Sequence, residues 1–262
     1  MNKLMATGVA LVAGLALVAG CGSSSKDGAT STGTAGGATS GTLSGEVVVL
    51  AASSLSDVFT ELGDRLEAQN PDLTVTFSFA ASSELAAQVN AGAPADVLAT
   101  ANAQTMGQVG ALALDPVVFA SNTLVIVTTS DAVTSLADLA RPDVKVALCA
   151  EEVPCGSAAK KVLDAAGVDT SRVVTYGANV SATLQYVTSG EVDAAMVYVT
   201  DARTAGDAVR VVEVPEAASA RNDDVISVLS DAKNPAAAQA FVDLVRSQTG
   251  RDALAAAGFA LS

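Results

Sequence analysis

The sequence predicts an α/β fold with mostly parallel sheets, built as two lobes, and three observations predict it. Short β-branched runs alternate with stretches of helical period. Those runs are apolar almost throughout, the pattern of strands covered on both faces. The part of the chain able to fold, about residues 46–262, is long for one domain and suits two of ordinary size.

Taken in order, a strand at 47–50 leads into a helix at 55–68. There Leu55, Val58, Phe59, Leu62 and Leu66 fall on one apolar stripe. A strand at 74–79 precedes a helix at 83–91, and a short strand follows at 97–99. Further strands are read at 123–128, 144–148, 172–175, 194–199, 209–212 and 225–229. Between them lie helical stretches at 135–139, 158–166 and 182–189. The last helix, 235–246, opens on Pro235 with Asn234 as its cap.

The first 20 residues read as an export signal. Lys3 supplies the positive start, and an apolar run over 9–19, too short to span a membrane comfortably, ends Val18-Ala19-Gly20-Cys21. Small residues before a cysteine are similar to the lipobox of bacterial lipoproteins, which makes Cys21 the expected lipidation site. In residues 22–45, 18 of 24 are Gly, Ser or Thr, so the segment cannot bury enough apolar surface to fold. As a random coil it spans roughly 27 Å, the reach of a tether between a lipid anchor and a folded body.

Removing the signal takes away Lys3, leaving 13 basic against 28 acidic side chains, a net charge of 13 − 28 = −15. That balance argues against nucleic acid and against an anionic membrane surface as partners. It does not exclude a small anion, because a site can be locally positive without a basic side chain. With Cys21 acylated, Cys149 and Cys155 remain as a pair six positions apart. In an oxidising compartment they read as a disulfide closing a tight loop, with two free thiols as the alternative. With no histidine in the chain, a metal site is poorly supported.

In parallel α/β sheets ligands sit beyond the carboxyl ends of strands, where helix N-termini point. Four strand-to-helix junctions carry hydroxyl or small residues: Ala51-Ala52-Ser53-Ser54, Ala80-Ala81-Ser82-Ser83, Pro154-Cys155-Gly156-Ser157 and Gly177-Ala178-Asn179-Val180. Each exposes unpaired N–H groups carrying about half a positive charge. Ordinary capping accounts for any one of them; four without basic neighbours, two in each half of the folded chain, point to an anion held by neutral donors. The absence of Trp and the presence of only Tyr176, Tyr186 and Tyr198 speak against aromatic platforms for sugars or quaternary amines. Tyr198, at a strand end, is either placed to donate its hydroxyl into a cleft or a buried core tyrosine.

These same junctions carry a family resemblance. Ala51-Ala52-Ser53-Ser54-Leu55, Ser78-Phe79-Ala80-Ala81-Ser82-Ser83, Gly92-Ala93-Pro94-Ala95-Asp96-Val97, Glu152-Val153-Pro154-Cys155-Gly156 and Val197-Tyr198 before Asp201-Ala202 resemble, in that order, the periplasmic molybdate-binding proteins of the ModA family. The similarity runs from Val47 to Gly258-Phe259. It implies the type II periplasmic-binding-protein fold, with two α/β lobes, two crossover segments and a ligand cleft between them. It implies lobes of 46–123 plus 219–262 and of 124–218, the chain changing lobe near 122–125 and 215–221.

Carried over residue by residue, the resemblance implies an oxyanion held by the Ser54 and Ser82 hydroxyls, the Cys155 and Val180 N–H groups and the Tyr198 hydroxyl. It further implies molybdate or tungstate as ligand, no cofactor, and an ABC permease with a separate ATPase subunit as partner. The protein is expected as a lipid-anchored monomer on the extracytoplasmic face and not as an enzyme. A cysteine stands where relatives often have alanine, but the donor there is backbone. Glu84, two residues after Ser82, is expected to face solvent.

Three rival readings remain, a passive surface adhesin being the third. The same fold serves sulfate or another small anion, although phosphate carries a proton that a ring of donors leaves unpaired. Ser157-Ala158-Ala159-Lys160 fits S-x-x-K of serine enzymes, yet no S-D-N, K-T-G or G-x-S-x-G accompanies it.

Overall fold

The structure, a computed structural model, describes residues 42–261. The export signal, Cys21 and nearly all of the expected tether lie outside the described residues. Among the described residues no helix is long and apolar enough to cross a membrane.

The first sheet has the order β11-β4-β10-β3-β1-β2. Its strands are β1 (Ser44–Ala52), β2 (Asp72–Ala80), β3 (Val97–Thr100), β4 (Ala113–Asn122), β10 (Asn222–Leu229) and β11 (Ala260–Leu261). The parallel core is β2-β1-β3, with Val49 beside both Phe77 and Val97, while β10 runs antiparallel to β3 and β4. The second sheet has the order β7-β6-β8-β5-β9, from β5 (Leu124–Thr128), β6 (Val146–Cys149), β7 (Val173–Gly177), β8 (Ala194–Tyr198) and β9 (Arg210–Val212). Here β6, β7 and β8 are parallel and β5 is antiparallel to β8.

The chain passes from the first sheet to the second between Asn122 and Leu124, and returns between Val212 and Asn222. Asn122 and Asn222 are paired across β4 and β10 at that point. The two passages therefore lie side by side, the geometry of a hinge.

Helices cover the sheets. On the first, α1 (Ser56–Gln69), α7 (Pro235–Arg246) and α8 (Gln248–Ala257) pack on one face. There Phe59 and Phe241, both fully buried, meet edge to face at 5.3 Å. The apolar stripe read for the first helix is real: Leu55, Val58, Phe59, Leu62 and Leu66 are all buried. The other face holds α2 (Ser82–Asn90) and α3 (Ala103–Gly107) over Leu50, Leu98 and Val225. The second sheet is packed by α4 (Pro154–Ala166), α5 (Val180–Thr188) and α6 (Val199–Ala205) around Ile126, Met196 and Val197.

Central strands β3, β5, β6 and β8 are buried at every position, as the apolar runs require. Edge strands β2 and β7 instead alternate, because only one of their faces is covered. Several boundaries differ from the sequence reading. Strand β1 begins at Ser44, two residues inside the expected tether, because parallel pairing with β2 reaches Asp72. Helix α4 starts at Pro154, a turn earlier than read, since proline is favoured in the first helical turn. The stretch read as helical over 135–139 is a 3-10 turn, Leu136–Ala140, closed by a Ser135/Asp138 capping box.

Candidate functional site

Six parallel strands, three from each sheet, end at one place. β1, β2 and β3 deliver Ala52-Ser53-Ser54, Ala80-Ala81-Ser82 and Ala101; β6, β7 and β8 deliver Val153-Pro154-Cys155, Asn179-Val180 and Tyr198. Together these residues line a cavity of about 20 Å³. That is the scale of a compact ion, since drug-sized ligands need roughly 300–1,000 Å³. No lining residue is charged. Larger spaces of about 480 and 280 Å³ lie at the opposite end of β1, around Pro94 and Lys233. They lack the convergence of helix starts, so size alone does not identify the site.

All five residues expected to hold the ligand, Ser54, Ser82, Cys155, Val180 and Tyr198, line this cavity. Glu84 does not: it is exposed, and its carboxylate accepts from the Gln88 side chain at 3.3 Å. Ser157 and Lys160 form no nucleophile–base pair, because the Lys160 ammonium is held by Asp164 at 3.3 Å.

The serines are not helix caps. Ala52, Ala81 and Val153 occupy the cap positions of the 3-10 turn Ser53–Leu55, of α2 and of α4, and none makes a side-chain capping bond. The first N–H groups of these helical starts are thus left to the cavity. Only α5 is capped, by Asn179, whose side-chain oxygen accepts from Ala182 N–H at 2.9 Å, leaving Val180 N–H without an intrahelical acceptor.

Two of the buried hydroxyls already accept a hydrogen bond from the protein. Ala101 N–H donates to Ser82 Oγ at 2.9 Å, and the Asn222 amide donates to the Tyr198 hydroxyl. A hydroxyl has one proton to give, and at both of these it is available to a ligand in the cavity. Asn222 also reaches the Pro154 carbonyl at 3.5 Å, tying the hinge strand β10 to the start of α4.

Three groups under the site are given no role by the sequence reading. Asp224, two residues along β10 from Asn222, is 1 % exposed, and neither of its carboxylate oxygens has a partner. Burial, then the neighbouring Asp223 and Asp201 carboxylates, push its pKa well above the usual carboxylate range. Asp201 in α6 is pushed up to about 7 by burial, against hydrogen bonds from its own N–H, the Thr200 hydroxyl and the Tyr198 backbone that pull it down. The Tyr198 phenol is raised by burial first and by Asp224 second, against the Asn222 hydrogen bond, so it stays a donor at neutral pH. The third group is Asn222 itself. The only signal was Asn222-Asp223-Asp224 ahead of an apolar run, which reads as the solvated start of a strand.

Three further contacts join α6 to the first lobe. Asn122 Nδ2 donates to the Thr200 hydroxyl at 2.8 Å, Thr204 to Asp57 at 3.0 Å, and Arg203 to the Ala256 carbonyl at 3.1 Å.

Comparison with known proteins agrees with this architecture. Residues 47–260 match the family described as bacterial extracellular solute-binding protein. The molybdate-binding protein ModA of Mycobacterium bovis is 42% identical over 220 residues, covering 82% of this chain and 84% of that one. The substrate-binding domain of a putative molybdenum ABC transporter from Clostridium difficile superposes with a TM-score of 0.63 at 26% identity, covering 83% of this chain and 99% of that one. The periplasmic molybdate-binding protein of Azotobacter vinelandii gives a TM-score of 0.75 at 20% identity, over 82% and 99% of the two chains, and shares the fold. These relatives are solute-binding proteins and not enzymes. With a two-lobed α/β fold, a cavity between the lobes and this extent of identity, the chain belongs to the bacterial extracellular solute-binding proteins, in the ModA family.

Proposed function

We propose that the protein captures molybdate, and tungstate equally, and hands it to an ABC importer whose ATPase is a separate subunit. The ligand is held by the Ser54, Ser82 and Tyr198 hydroxyls and the Cys155 and Val180 N–H groups. The observation that carries this reading is the lining of the cavity, where helix starts and hydroxyls from both lobes converge without a charged side chain. Preorganised neutral donors in a dry site stabilise a dianion as helix N-termini do. The relatives named for molybdate support the choice of ion.

In the same reading, lobes of 46–123 plus 219–262 and of 124–218 close on the ion about the paired passages at Asn122 and Asn222. The export signal is removed, Cys21 carries the lipid, and a monomer works on the extracytoplasmic face. Titration calorimetry tests the core of this. One molybdate or tungstate per chain is expected, each displacing the other; no heat with either at any concentration overturns it.

A further inference from the structure

The Cys149–Cys155 disulfide touches the site in a way that chain stapling does not explain. Cys149 is the last residue of β6, and Cys155 is the second residue of α4 and part of the cavity wall. The bond joins them across a separation of six residues. The loop between them is otherwise held by Ala150 N–H on the Gly177 carbonyl at 2.9 Å and Val153 N–H on the Ala150 carbonyl at 3.1 Å.

The second helix start leans on the same sulfur. Thr183, fully buried in the first turns of α5, places its hydroxyl 3.3 Å from Cys149 Sγ and 2.9 Å from the Asn179 carbonyl. Both packings are tight. A Cβ on Gly156 would come within 1.8 Å of the Ala150 carbonyl oxygen, and one on Gly177 within 2.2 Å of Thr183 Oγ1. Both amides assigned to the second lobe, at Cys155 and Val180, therefore sit on helices braced against one sulfur bridge.

We propose that this disulfide positions the anion-binding amides and thereby sets ligand affinity, chiefly through the dissociation rate, beyond any effect on fold stability. The inference rests on the proposed function. Its reason is chemical. Without a charged side chain, the site depends on several neutral dipoles aimed at fixed oxygen positions, and such groups lose their effect when misplaced by fractions of an ångström. Chain stapling over so short a loop acts on the unfolded state and leaves the geometry of the folded site out of account. If that were its whole role, folded protein without the bridge would bind as the parent does.

The test measures molybdate affinity and dissociation rate at 25 °C on the purified protein, with folding followed by circular dichroism. It compares the oxidised parent, the Cys149→Ala/Cys155→Ala variant, and Thr183→Val, which keeps the bridge but removes the hydroxyl against it. The inference expects about tenfold or greater weakening in the double variant and a smaller loss, about threefold or more, in Thr183→Val, both carried by faster dissociation. Folded double variant and Thr183→Val both binding within twofold of the parent would overturn it. If the double variant does not fold, Thr183→Val decides alone: weakening with an unchanged melting temperature supports the inference, and parental affinity refutes it. An oxidised parent that binds no molybdate would overturn the functional reading and this inference with it, whereas parental binding untouched by the variants overturns this inference alone.

Discussion

Ser82 opens α2 and Asp224 lies near the start of β10, and the two present opposite problems. Ser82 is 1 % exposed, accepts from Ala101 N–H, and keeps a proton for the cavity. Its removal should take one hydrogen bond from a charged ligand, worth about 1.5–3 kcal/mol, or roughly 10- to 150-fold in affinity. Ser54→Ala should cost a similar amount. Calorimetry on folded variants checks both, and losses under threefold at both would make the serines structural only.

Asp224 and Asp201 are acids whose pKa burial raises. Their folded-state pKa values are raised, Asp201 from 3.8 to about 7, so the folded state holds protons that the unfolded state releases. Their contribution to stability is complete below the unfolded value near 4 and is lost as pH rises towards 7 and above. Asp138 runs the other way. Hydrogen bonds from Thr134 and Ser135 pull it down to about 2, so its contribution is present above the unfolded value and lost as pH falls through 2. Between pH 5 and 8 the buried pair governs, and the urea midpoint should fall as pH rises across that interval. Asp201→Asn should flatten the slope; an identical slope in parent and variant would contradict the assignment. Ser82 was legible because a hydroxyl at a strand-to-helix junction is a recognisable pattern. Asp224 was not, because nothing local says that the first turn of a strand lies under a hinge.

Elements that alternate along the chain were legible from hydrophobic runs, down to the bounds of α7 and its Asn234 cap, whose side chain accepts from Ala237 N–H at 3.3 Å. Those missed are short or polar. Strand β4 contains Asp115-Pro116, with Asp115 at φ 47°, and is largely exposed over its first half, so it reads as a turn. Helix α3 has five residues and α6 seven, too few for a periodicity to show.

Helix α5 offers the sharpest test at this scale. Val180 is its first residue, and Asn179 before it is extended (φ −154°, ψ 177°), a conformation that tolerates a following proline. Val180→Pro should therefore fold, because that N–H has no intrahelical acceptor. It should bind molybdate poorly, while Val180→Ala binds almost as the parent does. A well-folded Val180→Pro protein with parental affinity would remove this helix start from the site.

For the whole molecule, charge and proposed ligand point in opposite directions: a chain with a net charge of −14 is assigned an anion. The resolution is local. Six strand ends bring helix starts and hydroxyls to one small cavity between the lobes, and the acids beneath it are buried, which raises their pKa values. The two-lobed character was legible from length and strand–helix alternation. The pairing of Asn122 with Asn222 at the passages was not, because it joins residues 100 positions apart. The choice of ion depends on what the ring can accept as well as donate. Ser82 and Tyr198 already accept from protein groups, and Asn179 spends its oxygen on Ala182. No carboxylate lines the cavity to accept the proton of a protonated phosphate. The most direct measurement is thermal melting of the protein with molybdate, tungstate, sulfate and phosphate side by side at neutral pH. A clear rise in melting temperature is expected with molybdate and tungstate, a smaller one or none with sulfate, and none with phosphate. Stabilisation by phosphate equal to that by molybdate would contradict the ring of neutral donors.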